Sequence, residues 1–214
     1  MLDNVTINAH SSIRIEEGKV LYFDPFHISD ATNDADIVFV THDHYDHFSP
    51  EDISKVMKDD TVFVAPVVTA KLIAETFANV PSERIVTVAA GEKLDVLGIP
   101  VEVIASYNPK KQFHPLEKGY VGYVVTLDGT RFYICGDMDV TEEGKAVKCD
   151  VLMPPIGGTY TMDAHEAIEL VSAIRPKYAI PTHYGDIVGN IRDGKRFTKW
   201  VEDLGIGTEV ILKI

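Results

Sequence analysis

Cysteine is nearly missing from this chain. Cys135 and Cys149 are the only two in 214 residues and they form no C-x-x-C pair, which excludes a disulfide scaffold and a thiolate zinc knuckle and fits a reducing compartment. Basic residues are also scarce, 20 Lys and Arg against 33 Asp and Glu, leaving a net charge of −13. A fold that tracks a phosphate backbone needs basic surface, so nucleic acid is not an expected partner. No apolar run approaches the roughly 18–20 residues that cross a bilayer, and Met1-Leu2-Asp3-Asn4 opens neither a basic nor an apolar leader. The expectation is a cytoplasmic protein that meets no membrane. Low-complexity stretches and linkers rich in Pro, Gly or Ser are absent as well. With 45% hydrophobic residues, residues 1–214 read as one domain, built whole or from two halves sharing a core. Homo-oligomer formation is left open.

What the chain does have is histidine in one dense place. His42-Asp43-His44-Tyr45-Asp46-His47 packs three imidazoles and two carboxylates into six positions, directly after the apolar run Ile37-Val38-Phe39-Val40. Such a run reads as a buried strand, so the cluster lies at a strand's carboxyl end, where open α/β sheets place their ligands. Ser49-Pro50-Glu51-Asp52 then reads as a helix start, with Ser49 as N-cap and Pro50 at the first helical position. A short loop held between strand and helix can aim His42 and His44 at one ion and leave Asp46 and His47 for a second.

Along the rest of the chain, Val5 to Ile15 alternates as a strand and turns at Gly18 into Val20–Phe23, a hairpin. His10 then sits early on the first strand, and Asp24 at the end of the second, where it is either a turn residue or an acceptor for a ligand imidazole. Strands are expected at Thr61–Pro66, Arg84–Val88 and Val101–Ala105, and helices at Thr69–Phe77, from Asp163 to Ile174 and at Phe197–Leu204. Asp128-Gly129 joins the strands Tyr120–Leu127 and Arg131–Cys135. Lys177 to Pro181 and Thr208 to Leu212 close the list of strands. Strands followed by helix in each half suggest an α/β chain of two sheets with helices outside, a four-layer αββα sandwich. Asp137 and His183 follow strands just as the histidine loop does.

The set His42, His44, Asp46 and His47 resembles the signature of the metallo-β-lactamase superfamily, and Gly136-Asp137 and Thr182-His183-Tyr184-Gly185 resemble its later motifs. The resemblance covers the whole chain and implies the αββα fold. It also implies a one- or two-metal hydrolytic centre in which Asp137 bridges and His183 completes the second ion. The family's third ligand, a His after the strand ending near Ala105, has no direct counterpart. Ser106-Tyr107-Asn108 stands there, and His114 is the only histidine in the interval. His114 is the candidate; His10 and Asn108 are the alternatives.

Imidazoles and carboxylates without thiolate suit zinc, and with several oxygens also manganese, iron or nickel. Such a centre implies hydrolysis by activated water, with Asp46 and Asp137 as catalytic carboxylates. Tyr107, Tyr160 and Tyr184 are oxyanion candidates or packing residues, and Cys135 reads as a core thiol. Together with His10-Ser11-Ser12, Asp24-Pro25 and Gly157-Gly158-Thr159-Tyr160, the motifs look most like the small lactonase-like branch, and the expected substrate is a small ester, lactone or phosphoester, anionic or neutral. Two other classes stay open, a di-iron redox protein and a metal-binding regulatory module without turnover.

Overall fold

A computed structural model describes residues 2–214 of the protein. The chain divides into two compact units, residues 1–89 and 90–214, each organised around one sheet.

The first unit holds β1 (Val5–Ala9), β2 (Ser12–Glu17), β3 (Lys19–Phe23), β4 (Ala35–Phe39), β5 (Met57–Pro66) and β6 (Ile85–Val88), paired in chain order. The first three form an antiparallel meander, and β3 to β6 run parallel. Parallel neighbours need crossovers, and the helices α1 (Pro50–Val56) and α2 (Val67–Thr76) provide two of them. One sheet face, with Tyr22, Val38, Phe63 and Ala65, packs with Ile53 and Val56 of α1 and Ala70 and Ile73 of α2. The opposite face, with Leu21, Phe23, Ile37, Phe39 and Val64, is buried as well. Burial on both faces explains why β4 reads as a continuous apolar run rather than an alternation.

The expected single strand from Val5 to Ile15 is two strands. A turn at His10-Ser11 separates β1 from β2, with Ala9 opposite Ser12 and His10 in the left-handed region at φ +52°. His10 is therefore a turn residue, and the alternation concealed the break because it runs on through both arms. The hairpin at Gly18 and the α1 cap are as expected, with Ser49 Oγ accepting the Asp52 N–H.

The second unit repeats the scheme. Strands β7 (Lys93–Val96), β8 (Ile99–Ala105), β9 (Val121–Leu127) and β10 (Thr130–Ile134) are antiparallel; β11 (Val151–Met153), β12 (Tyr178–Ala179) and β13 (Glu209–Val210) continue parallel to β10. The crossovers carry α3 (Glu142–Ala146), α4 (Glu166–Ile174) and α5 (Ile191–Asp203). The apolar faces of α4 and α5, with Leu170, Val171, Phe197 and Val201, share a core with Tyr133, Leu152 and Ala179 of the sheet. Cys135 belongs to that core, where burial pushes its thiol well above the ordinary range and leaves it unreactive. Among the described residues no helix is long and apolar enough to cross a membrane.

Candidate functional site

In each unit the chemistry-bearing residues gather at the carboxyl ends of strands. In the first unit the loop after β4 carries Thr41 to His47, and the residue after β3 is Asp24, buried at φ +47°. Asp24 organises the loop. Its Oδ1 accepts the Thr41 N–H at 2.7 Å, and its Oδ2 accepts both the Thr41 hydroxyl and His47 Nδ1, each at 2.7 Å. Because the Thr41 hydroxyl gives its proton to Asp24, its oxygen accepts from His42 Nδ1 at 2.9 Å. These bonds fix Nε2 as the lone-pair nitrogen of both His42 and His47.

The remaining spacings suit a shared cation. A tetrahedral zinc about 2.05 Å from each of two nitrogens holds them about 3.3 Å apart. His42 Nε2 and His44 Nδ1 are 3.1 Å apart. Asp46 Oδ2 is 3.3 Å from His10 Nε2 and 3.6 Å from His47 Nε2. The positive φ of His10 brings it back towards Asp46, and a left-handed φ in a residue other than glycine costs energy, often at functional sites.

In the second unit, Asp137 follows β10 through Gly136, at φ +65°, and His183 follows β12 at φ +58°. Asp137 Oδ2 is 2.9 Å from His183 Nε2 and 3.4 Å from His114 Nε2. His114 is buried, and Asn108 Oδ1 accepts both its backbone N–H at 3.0 Å and Nδ1 at 2.8 Å. Asn108 thus holds His114 by the far side of the ring. Gly157 lets the chain lie against His183, since a Cβ there would come 2.3 Å from the His183 carbonyl oxygen. The Gly158 N–H bonds to the Met162 carbonyl, so Gly158 serves the turn.

The tyrosines divide. Tyr184 is buried in the core, Tyr107 bonds Glu143 at 3.1 Å, and Tyr160 lies edge-on to Phe113 with ring centroids 4.8 Å apart. Asp139, two residues after Asp137, has its carboxyl pushed up by burial against the pull of the Lys111 ammonium, which it meets at 2.6 Å. Sequence reasoning passed over Thr41 and Lys111. Threonine at a strand end and lysine in a loop carry no spacing signal of their own.

Both half-sets consist of imidazoles and carboxylates, all buried except the half-buried His44, with the far ring nitrogens of His47, His42 and His114 held by Asp24, Thr41 and Asn108. That donor chemistry fits a divalent metal ion of the zinc type, with no soft ligand in either.

The chain is similar to known proteins. Residues 4–183 match the family model described as a beta-lactamase superfamily domain. A protein named metal-dependent hydrolase from Thermoplasma acidophilum is 33% identical over 186 residues, 83% of this chain and 77% of that one. A candidate metal-dependent hydrolase from Parabacteroides distasonis, of known crystal structure, shares 27% identity with a TM-score of 0.83, over 97% of this chain and 91% of that one. Igni18, a metallo hydrolase from Ignicoccus hospitalis, is alike in fold, with a TM-score of 0.76 at 20% identity over 97% of this chain and 93% of that one.

Proposed function

We propose, for a chain that belongs to the beta-lactamase superfamily, metal-dependent hydrolysis of a small ester, lactone or phosphoester, in the manner of the lactonase-like branch. The carrying observation is the donor chemistry. Each half-set presents imidazole nitrogens and carboxylate oxygens at ligand-to-ligand spacings, with His47 and His114 gripped from behind by Asp24 and Asn108. Our ligand assignment is His42, His44, Asp46 and His47 from the first unit and His114, Asp137 and His183 from the second, with His10 additional. Residues 1–214 then act as one functional domain.

When bound, a divalent cation supplies Lewis acidity, polarising a carbonyl or phosphoryl oxygen and acidifying water. Zinc is our first assignment; manganese, iron and nickel lie within the same donor set, as one ion or two. Asp46, close to His10 and His47, orients the attacking water and accepts its proton. Asp137, beside His114 and His183, would be the carboxylate ligand of the second-unit set. The net charge of −13 favours a small-molecule substrate over nucleic acid, and the scarcity of cysteine favours the cytoplasm.

The test is metal analysis of protein purified without added ions, followed by a screen of lactones, phosphodiesters and thioesters with and without chelator. We expect turnover in at least one class, lost on chelation, restored by zinc or manganese, and lowered at least about 100-fold in Asp46→Asn. Firmly bound metal with no turnover in any class would overturn the hydrolase reading in favour of a regulatory module.

A further inference from the structure

His114 sits in the middle of a long connection. Between β8 and β9 the chain has one short 3-10 turn, Leu116–Lys118, and connections of this length are mobile unless something ties them. Lys111, three residues before His114, supplies a tie. Its Nζ is 2.6 Å from Asp139 Oδ1 and 2.6 Å from the Thr161 carbonyl oxygen, with Glu166 at 3.7 Å. The partners come from three segments: Asp139 from the stretch after Asp137, Thr161 from the turn before α4, Glu166 from the start of α4. In a chain with 33 acidic residues, a loop lysine has many exposed carboxylates to meet. This one is drawn inward, with 24% of its side chain exposed.

Neighbouring bonds run in the same direction. The Asp139 N–H donates to the Tyr107 carbonyl at 3.1 Å, Ser106 Oγ donates to the Asp137 carbonyl at 3.0 Å, and the Asn108 N–H donates to the His114 carbonyl at 2.8 Å. Phe113, beside His114, meets Tyr160, beside Thr161. The loop is thereby fastened on both sides of Asn108.

We propose that Lys111 is a positioning residue for His114: held by Asp139 and the Thr161 carbonyl, its ammonium fixes the loop that keeps the His114 imidazole beside Asp137. The inference rests on His114 being a metal ligand. Ordering the loop before the ion arrives removes an entropic cost from binding, which is how preorganisation raises affinity.

Zinc dissociation constants of the full chain, measured by competition with a chromophoric chelator, test it in Lys111→Met, Lys111→Arg, His114→Ala and the Lys111→Met/His114→Ala double variant. Lys111→Met weakens zinc binding about 10- to 100-fold, Lys111→Arg recovers most of the loss, and Lys111→Met costs nothing more once His114 is gone. Thermal melts of the metal-free variants establish folding; if Lys111→Met does not fold, Asp139→Asn carries the same prediction. Binding within twofold of wild type in Lys111→Met, while His114→Ala loses zinc, overturns the positioning role and leaves the ligand reading standing. An undiminished Lys111→Met effect in the His114→Ala background also overturns it. Wild-type affinity in His114→Ala removes both.

Discussion

Asp24 concentrates the logic of the first unit in one side chain. It accepts three short bonds, two from Thr41 and one from His47, and adopts a left-handed backbone to do so. Replacing it with Ala leaves the buried Thr41 N–H and hydroxyl without their acceptor, at a cost of about 1–3 kcal/mol, and releases the ring of His47. We expect zinc affinity to fall about 10- to 100-fold in Asp24→Ala, measured by chelator competition. Unchanged affinity would mean that His47 needs no holder. The acid itself was visible in the sequence as a strand-end residue before Pro25, but its partners lie 17 and 23 positions away and no spacing rule encodes them. His10 shows the reverse failure: its neighbourhood alternates well enough to pass for a strand, and nothing local announces a histidine at positive φ.

At the scale of elements, α1 fixes the far end of the histidine loop through Asp52. The Asp52 carboxylate accepts the N–H groups of His27 and Ile28, the Ser49 hydroxyl and the Lys55 ammonium, all at 2.9–3.0 Å. Burial alone would raise its pKa; the Lys55, Ser49 and Ile28 bonds outweigh it and hold the carboxyl below its ordinary 3.8. A depressed carboxyl contributes stability above its unfolded pKa and loses it as pH falls through the folded one. Chemical denaturation of metal-free Asp52→Asn against wild type is expected to show a gap of about 1–2 kcal/mol at pH 7, closing below about pH 4. A gap that stays constant with pH would contradict the account.

The α1 start was legible because Ser49, Pro50 and the acids are local signals. Helix α5 was read six residues short although Asn190 and Asp193 form a capping box. Gly194 and the charged residues around it dilute the apolar period; Gly194 is there because a Cβ would come 2.5 Å from the Tyr184 hydroxyl. The five residues of α3 are too few to show any period.

On the scale of the whole molecule, both units follow one plan, an antiparallel stretch leading into parallel strands whose carboxyl ends carry the functional residues. The signature loop, Asp137 and His183 could be read because each follows a strand and matches a family motif. Their local geometry also depends on Thr41, which no motif singles out, on Asn108, legible only as an alternative ligand and not as the holder of His114, and on Gly157, legible only as half of a glycine pair and not as the close neighbour of His183. The central claim is that both half-sets are metal ligands, and the most direct measurement is zinc per chain by mass spectrometry after zinc loading and exhaustive desalting. The account predicts one or two equivalents in wild type and the loss of at least one in both His42→Ala/His44→Ala, which removes donors of the first unit, and Asp137→Ala, which removes one of the second. Full wild-type zinc content in either variant would contradict it.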